Sequence, residues 1–529
     1  MHALGIDVGS TNLKVVLVED SGYLRASVSR PLHTHQVAAT DTNEAAATQD
    51  AEHIWSAVCS AISEITAAEP SRSRSIGSIG VCSQYSSILG VGAQGNATTP
   101  LILYLDHRGD DLSFSIMERH EQAFEIFVER HGIPPIGGGL SLAHLLFIQK
   151  ALPEIHELTS TYLEVMDFIT LRLTGRATAT QCTMFASQLC DNRVVGTVEY
   201  DSDLVAMAGV DASKLPALIS VDGIVGQVSA GIATQLGLPT AVTVQAGMND
   251  TQAAAFATGV LRNSLADPRG DLSGARPCGL MIGTTAVLVD SLDSHRVDLE
   301  HEVLAMPAPV HGRHIVMAEN GISGRAVEHA LRLLNPQSAQ TQVGVHHSSS
   351  PFDELESALA GSLPGSGGML FLPWLAGSMS PRAESDQRGG FIGLSLTTTR
   401  EQMIRSVIEG TAHNLRWLLP AVEGLTTASC TEIIFGGGAA RSSGWAQVLA
   451  DVLNRPVSVL HRPELAAATA VAMVALFRTA GKDPIELELQ HEFTYEPASG
   501  SHELYERAQV QFQAAFTNYL SICETLSHE

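Results

Sequence analysis

A short segment rich in glycine and hydroxyl residues occurs twice in this chain, and the repeat constrains the fold more than any other feature. Residues 5–11 read GIDVGST, and residues 279–285, about half the chain length later, read GLMIGTT. A single hydrophobic core stops growing near roughly 250–300 residues, so a chain of 529 residues is expected to form two domains. The repeat predicts that the second domain duplicates the first, with the domains at residues 1–260 and 261–529.

The residues around the first copy have the pattern of an α/β domain. Residues 4–7 and 13–18 are rich in β-branched side chains and flank a glycine turn, which predicts two adjacent strands. Apolar residues three or four positions apart predict an amphipathic helix within residues 50–68, and residues 79–82 then read as a buried strand. This order of elements is typical of the α/β class.

Composition excludes several kinds of partner and site. The formal net charge of −25 disfavours nucleic acid and anionic membranes, although local backbone dipoles can still hold a small phosphate group. The seven cysteines are scattered without a CxxC spacing, so neither a disulfide framework nor a zinc ribbon is predicted, and the reducing cytoplasm is the expected location. The longest apolar run, within a predicted helix over residues 464–479, is too short for a membrane span of about 20 residues.

Two polar segments and one long helix outline the second half of the chain. Residues 262–277 and 337–350 lack apolar periodicity and are predicted to be exposed loops, the first of them a linker. Thr398 and Glu401 have the spacing of a capping box, so a helix is expected to begin there, and Pro420 is expected to end it.

A Gly-x-Gly-x-x-Gly pattern at residues 90–95 matches the dinucleotide-binding fingerprint by sequence alone. That interpretation requires a helix directly after the last glycine, whereas residues 96–100 are polar and end in proline, and residues 101–104 have strand character. The pattern is therefore predicted to be a hairpin turn. A P-loop motif does not occur in the sequence.

The repeated segment has the residue types of a phosphate-binding turn, although a plain β-turn is the alternative. Successive N–H groups of a tight glycine turn can form an anion-binding nest, to which hydroxyl groups add donors. A carboxylate beside phosphate would repel it, so the aspartate of the first copy implies a bridging Mg²⁺ ion. The residues of the two candidate nests are Asp7, Gly9, Ser10, Thr11, Asn12, Gly283, Thr284 and Thr285.

Three consecutive glycines at 436–438 follow the strand-like residues 432–435. Such a run costs conformational entropy, but it lets a flat ligand such as adenine approach the backbone closely. A purely structural turn is the alternative. The candidate contacts of an adenosine group are Gly437, Gly438 and Ala439.

Asp250 lies at the predicted junction between a strand ending near residue 244 and a small-residue helix near residues 253–257. One interpretation is that an aspartate at such a junction is a helix N-cap and has no further role. Beside two phosphate nests, its carboxylate can instead take a proton from a substrate hydroxyl that attacks a γ-phosphate. The sequence by itself leaves both roles open.

Taken together and in this order, these segments resemble the FGGY family of carbohydrate kinases, within the superfamily of actin-like, hexokinase-like and Hsp70-like ATPases. The two nests are similar to that family's phosphate motifs, residues 247–250 to the loop of its catalytic aspartate, and residues 436–439 to its adenosine motif. The most specific match is residues 388–394 with the helix that follows up to residue 416, and the resemblance extends from residue 5 to about residue 480.

The resemblance implies an architecture and a site. Each half would be a ribonuclease H-like α/β domain, as in actin-like ATPases, and the two would flank a central cleft that holds ATP and a sugar. Closure of the cleft would exclude water, which competes with the sugar as phosphoryl acceptor. Asp250 would be the catalytic base, and Asp7 and Asp250 would lie near Mg²⁺.

The segments expected at the acceptor pocket depart from several members of the family. Tyr85 and Ser86 occupy the place of the Arg-Glu pair of glycerol kinases, and only Gln84 is kept from the Gln-Met-His of xylulokinases. Residues 104–108 resemble the Asn-Asp-x-Arg segment of xylulokinase-like members. The candidate substrate-binding residues are Gln84, Tyr85, Asp106, Arg108, Asp250 and Thr251, with pairing between Asp106 and Arg108 as the alternative to a contact with substrate.

The sequence thus predicts transfer of the γ-phosphoryl group of ATP to a primary hydroxyl of a small sugar or polyol, with a ketopentose such as xylulose as the leading acceptor. Three alternatives stay open: another ketose or polyol such as ribulose or a sugar alcohol, a non-catalytic regulator that binds sugar or nucleotide, and an actin-like or chaperone-like ATPase. The expected partners are the small-molecule substrates, and a homodimer is an oligomeric state that the sequence does not exclude.

Overall fold

The computed structural model describes residues 1–37, 45–262, 275–334 and 351–527. The strands of the first half are β1 (His2–Val8), β2 (Asn12–Glu19), β3 (Leu24–Pro31), β4 (His35–Val37), β5 (Ala46–Gln49), β6 (Ile76–Ser83), β7 (Ile88–Val91), β8 (Leu101–Ile102), β9 (Thr161–Glu164), β10 (Thr178–Thr180), β11 (Ala217–Ile219), β12 (Ile224–Gln227), β13 (Thr243–Gln245) and β14 (Met248–Asn249). Its helices are α1 (Ala51–Ala68), α2 (Pro70–Ser73), α3 (Asp110–Arg119), α4 (Ala123–Arg130), α5 (Ser141–Ala151), α6 (Pro153–Leu158), α7 (Val165–Thr174), α8 (Ser202–Ala208), α9 (Ala230–Leu236) and α10 (Asp250–Ala257).

The second half continues the same alternation of strands and helices. Its strands are β15 (Ala275–Ile282), β16 (Thr285–Leu292), β17 (Leu304–Pro307), β18 (His314–Ile322), β19 (Leu370–Leu372), β20 (Gly390–Ile392), β21 (Ser429–Gly436), β22 (Val457–Leu460) and β23 (His491–Tyr495). Its helices are α11 (Gly324–Leu334), α12 (Pro351–Ala360), α13 (Arg400–Thr426), α14 (Ser443–Leu453), α15 (Ala466–Thr479) and α16 (Ser501–Ser527).

The two main sheets have the same topology, which confirms the duplication that the repeated segment predicts. In the first sheet the strand order is β3-β2-β1-β6-β13-β12, where β1, β6 and β13 are parallel and the other pairings are antiparallel. The second sheet contains the equivalent order β18-β16-β15-β21-β22-β23 with the same directions. Each copy of the glycine segment is therefore the hairpin turn between the central strand of its sheet and the antiparallel neighbour.

The region between the two sheets is filled by one helix from each half of the chain. Helix α10 ends the first half and packs against β15 and β16, whereas α15 from the second half packs against β1 and β6. These helices form an interdomain core with the facing sides of both sheets. Separate cores lie on the outer faces of the sheets. The two halves therefore share a buried layer.

Close contact between α15 and the first sheet depends on glycine. A Cβ atom placed at Gly5 would lie 1.9 Å from the carbonyl oxygen of Ala468, and one at Gly80 would lie 2.1 Å from that of Val471. Since no side chain fits in this space, the backbone of α15 lies directly against β1 and β6. Burial of its side chains, of which Val471 and Val474 are almost fully enclosed, then stabilises the contact by about 1.5–3 kcal/mol for each large side chain.

Helix α13 starts and ends at positions that differ from the prediction. The N-cap is Thr399, and its side chain accepts a hydrogen bond from the N–H of Gln402 in a reciprocal capping box, so the expected pair Thr398 and Glu401 was wrong by one residue. The helix also continues through Pro420 to Thr426. Pro420 lies on the exposed side, where water can solvate the carbonyl group that loses its intrahelical partner.

Other local predictions are settled by the same structure. The glycine pattern at residues 90–95 is a hairpin turn after β7, closed by a hydrogen bond between the N–H of Gly92 and the carbonyl oxygen of Asn96. Of the predicted linker, residues 263–274 lie outside the described residues, and residues 275–277 belong to β15 rather than to a loop. The predicted loop at residues 337–350 also lies outside the described residues. Within the described ranges, none of the helices is both long and apolar enough to traverse a bilayer.

Candidate active site

The first glycine turn leaves backbone donors exposed at the edge of the interdomain region. The N–H of Gly9 donates to the carbonyl oxygen of Asn12 at 3.1 Å, which closes the turn between β1 and β2. Ser10 and Thr11 donate no backbone hydrogen bond to any described residue. Thr11 and Asn12 are exposed, so the N–H groups of Ser10 and Thr11 and the Thr11 hydroxyl can receive an anion.

The second turn is one residue shorter than the first and is closely connected to α11. The N–H of Gly283 donates to the carbonyl oxygen of Thr285 at 2.9 Å, and the carbonyl oxygen of Thr284 accepts the N–H of Ser323 and of Arg325. A Cβ at Gly324 would lie 2.0 Å from the carbonyl oxygen of Gly283, so the start of α11 touches the turn directly. This contact fixes the turn and leaves the outer side of Gly283 open, with no atom within 4 Å of a Cβ there.

The triple glycine lies beside the second turn, as a site for one nucleotide requires. Gly437 has φ +89°, and a Cβ on it would lie 2.4 Å from the carbonyl oxygen of Ile282, the residue before Gly283. A Cβ on Gly438 would meet no atom within 4 Å. Gly437 is therefore required by the backbone, whereas Gly438 borders the space in which a flat group can lie.

Asp7 and Asp250 are brought together by the register of three neighbouring strands. Asp7 of β1 and Met248 of β14 both pair with Cys82 of β6, from opposite sides. With strands about 4.8 Å apart, the backbones at Asp7 and at the start of α10 are separated by roughly 10 Å, with both side chains at the carboxyl ends of the strands. The Asp7 carboxylate is buried, and the ammonium group of Lys14 lies 3.7 Å from its Oδ2.

The structure removes the simplest alternative for Asp250, a capping role. The N-cap of α10 is Asn249, whose side chain accepts the N–H of Gln252 at 2.8 Å while the Gln252 side chain accepts the N–H of Asn249. Asp250 is the first residue of the helix, and its Oδ1 accepts only the N–H of Thr251 among the described residues. The rest of the carboxylate is free for other chemistry.

Asp250 is exposed to solvent, yet protein from both halves surrounds it, as at the floor of an open cleft. Desolvation, reinforced by the charges of Asp7 and Glu319, raises the pKa of Asp250 to about 7. Such a carboxyl group can take up a proton near neutral pH, which a general base in a phosphoryl transfer requires.

The proposed acceptor segment is held against the opposite domain. The Tyr85 hydroxyl lies 3.4 Å from the sulfur of Met317 on β18, and the Thr251 hydroxyl lies 3.7 Å from the same sulfur. Gln84 donates to the side chain of Gln49 at 3.1 Å, and Gln49 donates to the carbonyl oxygen of Ser10 at 2.7 Å. The acceptor segment and the first phosphate turn are therefore linked by two amide side chains.

Asp106 and Arg108 form the pair that the sequence left open. The guanidinium group binds the carboxylate in a bidentate manner, with an Nε–Oδ1 distance of 2.9 Å and an Nη2–Oδ2 distance of 2.7 Å. Asp106 is fully buried and also accepts the N–H of Ala47. The pair therefore stabilises the conformation of residues 104–108. In the same segment, burial and the charges of Glu319 and Asp250 raise the pKa of Tyr104.

Sequence reasoning missed four residues of this site, namely Lys14, Gln49, Tyr104 and Glu319. Only Lys14 has a signal in the sequence, since it stands close to the first glycine turn. Glu319 has none, because β18 reaches the phosphate turn through its register with β16, where Glu319 pairs with Val287. Burial raises the pKa of Glu319 to about 7.

The donor set fits Mg²⁺ better than it fits a metal held by protein alone. Asp7 and Asp250 offer carboxylate oxygens beside two anion-binding turns. No group of three or more His, Cys, Asp or Glu side chains in the described ranges could hold a metal ion. Mg²⁺ commonly takes one or two carboxylates and fills its other positions with phosphate and water.

Comparison with known proteins gives the same assignment over both halves. The model of the FGGY family of carbohydrate kinases, N-terminal domain, matches residues 2–257, and that of the C-terminal domain matches residues 278–478. The chain is 26% identical to a xylulose kinase of Staphylococcus epidermidis over 520 residues, which are 97% of this chain and 96% of the relative. It is 25% identical to a gluconokinase of Bacillus subtilis over 87% of this chain and 84% of the relative. The crystal structure of a ligand-bound xylulose kinase from Lactobacillus acidophilus superposes with a TM-score of 0.81 at 20% identity, covering 99% of each chain.

Proposed function

Because the chain belongs to the FGGY family of carbohydrate kinases, and so uses ATP to phosphorylate a sugar or polyol, we propose that its acceptor is the primary hydroxyl of a ketopentose such as xylulose. The ketopentose is inferred from the likeness to xylulose kinases, and the observation that carries the phosphoryl transfer is the position of Asp250. Its carboxylate is exposed in the cleft between the halves, has no capping role, and lies next to Thr251 and across from Tyr85. Ribulose and sugar alcohols are the alternative acceptors.

In the proposed mechanism Asp250 accepts the proton of the sugar hydroxyl as its oxygen attacks the γ-phosphorus of ATP. The bond between the γ-phosphorus and the β–γ bridging oxygen then breaks, and ADP leaves with the electron pair. The exposed N–H groups and hydroxyls of residues 9–12 and 283–285 would hold the phosphates in line, and Gly437, Gly438 and Ala439 would receive the adenosine. Mg²⁺, when bound near Asp7 and Asp250, would offset the negative charge of the β- and γ-phosphates.

The acceptor would lie between Gln84, Tyr85 and Thr251 on one side and the second half of the chain on the other. Since the Tyr85 ring packs against both domains, its position supports a role in closing over the apolar face of a small sugar. The bidentate pair of Asp106 and Arg108 supports a positioning role for both residues behind this pocket.

Replacement of the base tests the mechanism directly. Asp250→Asn keeps the shape of the side chain and removes its basicity, so kcat with MgATP and D-xylulose is expected to fall by roughly 10²–10⁴-fold while KM for ATP changes less than about twofold. The measurement is steady-state kinetics of ADP release with xylulose, ribulose and a sugar alcohol as acceptors.

A matched control is Asp111→Asn, which alters an exposed aspartate in the first turn of α3, away from the cleft. This variant is expected to keep the wild-type kcat. Wild-type turnover by Asp250→Asn would contradict the role of Asp250 as base, and an acceptor other than a ketopentose with the highest kcat/KM would contradict the substrate assignment.

A further inference from the structure

Glu319 lies on β18, next to the end of the interdomain core and at the edge of the cleft. Side chains alternate between the two faces of a strand, and the hydrophobic cores show which face each side chain of β18 lies on. Ile315 and Met317 belong to the core between the domains, whereas Val316 and Ala318 belong to the outer core of the second domain. Glu319 therefore follows Met317 on the face that looks toward the first domain.

The next residue, Asn320, is a polar residue of β18 whose hydrogen bonds are satisfied within the protein. Asn320 points to the outer core, where its amide donates to Ser323 and to the carbonyl oxygen of Thr411 and accepts from Asn414. The carboxylate of Glu319 has no hydrogen bond and no ion pair with any residue in the described ranges, although the side chain is half-buried. A partly desolvated carboxylate without a partner is costly, so its position points to a bound ligand.

The groups around Glu319 define what such a ligand can be. Burial is the main cause that raises the pKa of Tyr85, Tyr104 and Asp250, and the negative charge of Glu319 adds to it at all three groups. Met317, its neighbour on the same face, touches Tyr85 and Thr251. Glu319 thus faces the proposed acceptor pocket from the side opposite to residues 84–87.

The charges in this region favour an uncharged ligand. Asp250 and Glu319 place two carboxylates at the pocket, while Lys14 is engaged with Asp7 on β1 and β2. Arg325, on the first turn of α11, is a cation that acts on Tyr104; its backbone N–H donates to the carbonyl oxygen of Thr284 in the second phosphate turn, and the residue is exposed. Above about pH 7, where Glu319 is ionised, a sugar with its own carboxylate would be repelled by it, whereas the hydroxyls of a neutral sugar can donate to it.

We propose that Glu319 is a specificity-determining residue, which accepts hydrogen bonds from the hydroxyls of a neutral polyhydroxylated acceptor and excludes sugar acids. This proposal rests on the proposed function and decides between two kinds of kinase that the chain resembles to the same degree, one for a neutral ketose and one for an aldonate.

The test compares kcat/KM for D-xylulose and D-gluconate with MgATP in the wild type and in two variants. Wild type is expected to prefer the neutral sugar by about 100-fold or more. Glu319→Gln is expected to raise KM for xylulose by roughly 10- to 100-fold, the value of a hydrogen bond to a charged group, and to narrow the preference over gluconate by at least about tenfold. Glu319→Asp keeps the charge on a shorter side chain, so it is expected to weaken xylulose binding and still exclude gluconate.

Glu328→Gln is the control, because it removes an exposed carboxylate from α11 in the same domain. This variant is expected to keep kcat/KM for D-xylulose and kcat/KM for D-gluconate within twofold of wild type. KM for ATP should also stay within about twofold in both Glu319 variants, which separates a role in acceptor binding from a general loss of structure.

Two outcomes would overturn this inference while leaving the proposed kinase activity intact. One is a wild-type enzyme that phosphorylates gluconate better than any neutral sugar, which would assign Arg325 rather than Glu319 to the acceptor. The other is a Glu319→Gln variant with unchanged KM for xylulose and unchanged discrimination. If neither neutral sugars nor gluconate accept phosphate from ATP, the acceptor proposal itself fails, and the role of Glu319 fails with it.

Discussion

At the scale of single residues, neighbouring glycines in this site have different physical roles. Gly437 has a positive φ and lies against the carbonyl oxygen of Ile282, so glycine is required at this position by the conformation and packing of the backbone. Gly438 has open space where a side chain would project. A substitution at Gly437 therefore disturbs the protein itself, and only Gly438 can report on the nucleotide.

Gly438→Val is expected to raise KM for ATP by about tenfold or more, because the new side chain would fill the space proposed for adenosine, with little change in Tm. Gly437→Ala is the contrasting variant and is expected to lower the free energy of unfolding by about 1–3 kcal/mol through strain and contact with Ile282. Steady-state kinetics and thermal unfolding measure the two effects. An unchanged KM for ATP in Gly438→Val would mean that the glycine run serves only the turn.

At the scale of elements, the acceptor segment after β6 depends on a buried carboxyl group that joins β9 to α7. Glu164 is fully buried; its Oε2 accepts the N–H of Ser87 at 2.9 Å, and its other oxygen accepts the hydroxyl of Ser141. Desolvation by burial raises the pKa of Glu164 from 4.5 to about 7 in the folded protein. The charged form is therefore less favourable in the folded state than in the unfolded chain.

This raised pKa predicts a pH dependence of stability with a defined sign. Between about pH 4.5 and 7 the folded state keeps a proton on Glu164 that the unfolded state has released, so the contribution of this group to stability is present at low pH and is lost as the pH rises. Glu164→Gln cannot ionise, and its free energy of unfolding relative to wild type is expected to rise by up to about 3 kcal/mol between pH 4.5 and 8.

Urea unfolding at several pH values measures this difference. The control is Glu157→Gln on α6, where the carboxylate is exposed, and its difference from wild type should not change with pH. A constant difference between Glu164→Gln and wild type across the same range would contradict the prediction.

At the scale of the whole molecule, the two halves of the chain are joined by the exchange of helices. Helix α15 comes from the second half and rests on β1 and β6 of the first, at a distance that only glycine at positions 5 and 80 permits. Helix α10, which begins with Asp250, packs on the second sheet. Displacement of α15 is therefore expected to change the spacing of the two sheets that carry the glycine turns and, with it, the position of Asp250 at the start of α10.

Gly80→Ala is expected to lower the free energy of unfolding by about 1–3 kcal/mol and to lower kcat, because the added Cβ must push α15 away from β6. Gly77→Ala on the same strand is the matched control, since a Cβ there meets only the flexible side chain of Met1 at 3.5 Å or more. Denaturant unfolding and kinetics of both variants make the test. Equal stability of the two variants would contradict close packing of α15 on the first sheet.

The sequence by itself determined the features that depend on a few consecutive residues. Glycine turns and β-branched strands are local features of the chain, so the α/β class, the duplicated hairpins and the family could be predicted from them. The catalytic role of Asp250 stays a prediction. The exact cap of α13 and its continuation past Pro420 could not, because a buried stripe on either side of the proline outweighs the missing hydrogen bond.

Only the tertiary structure decided which distant residues share the cleft. Asp106 and Arg108 satisfy each other two positions apart. Tyr85 meets Met317 across 232 residues of chain, and Glu319 faces Asp250 from the other half of the chain. Such contacts follow from strand register and from the packing of α10 and α15 between the sheets. No local pattern encodes that packing, because its free energy comes from apolar surface that becomes buried only when the two halves meet.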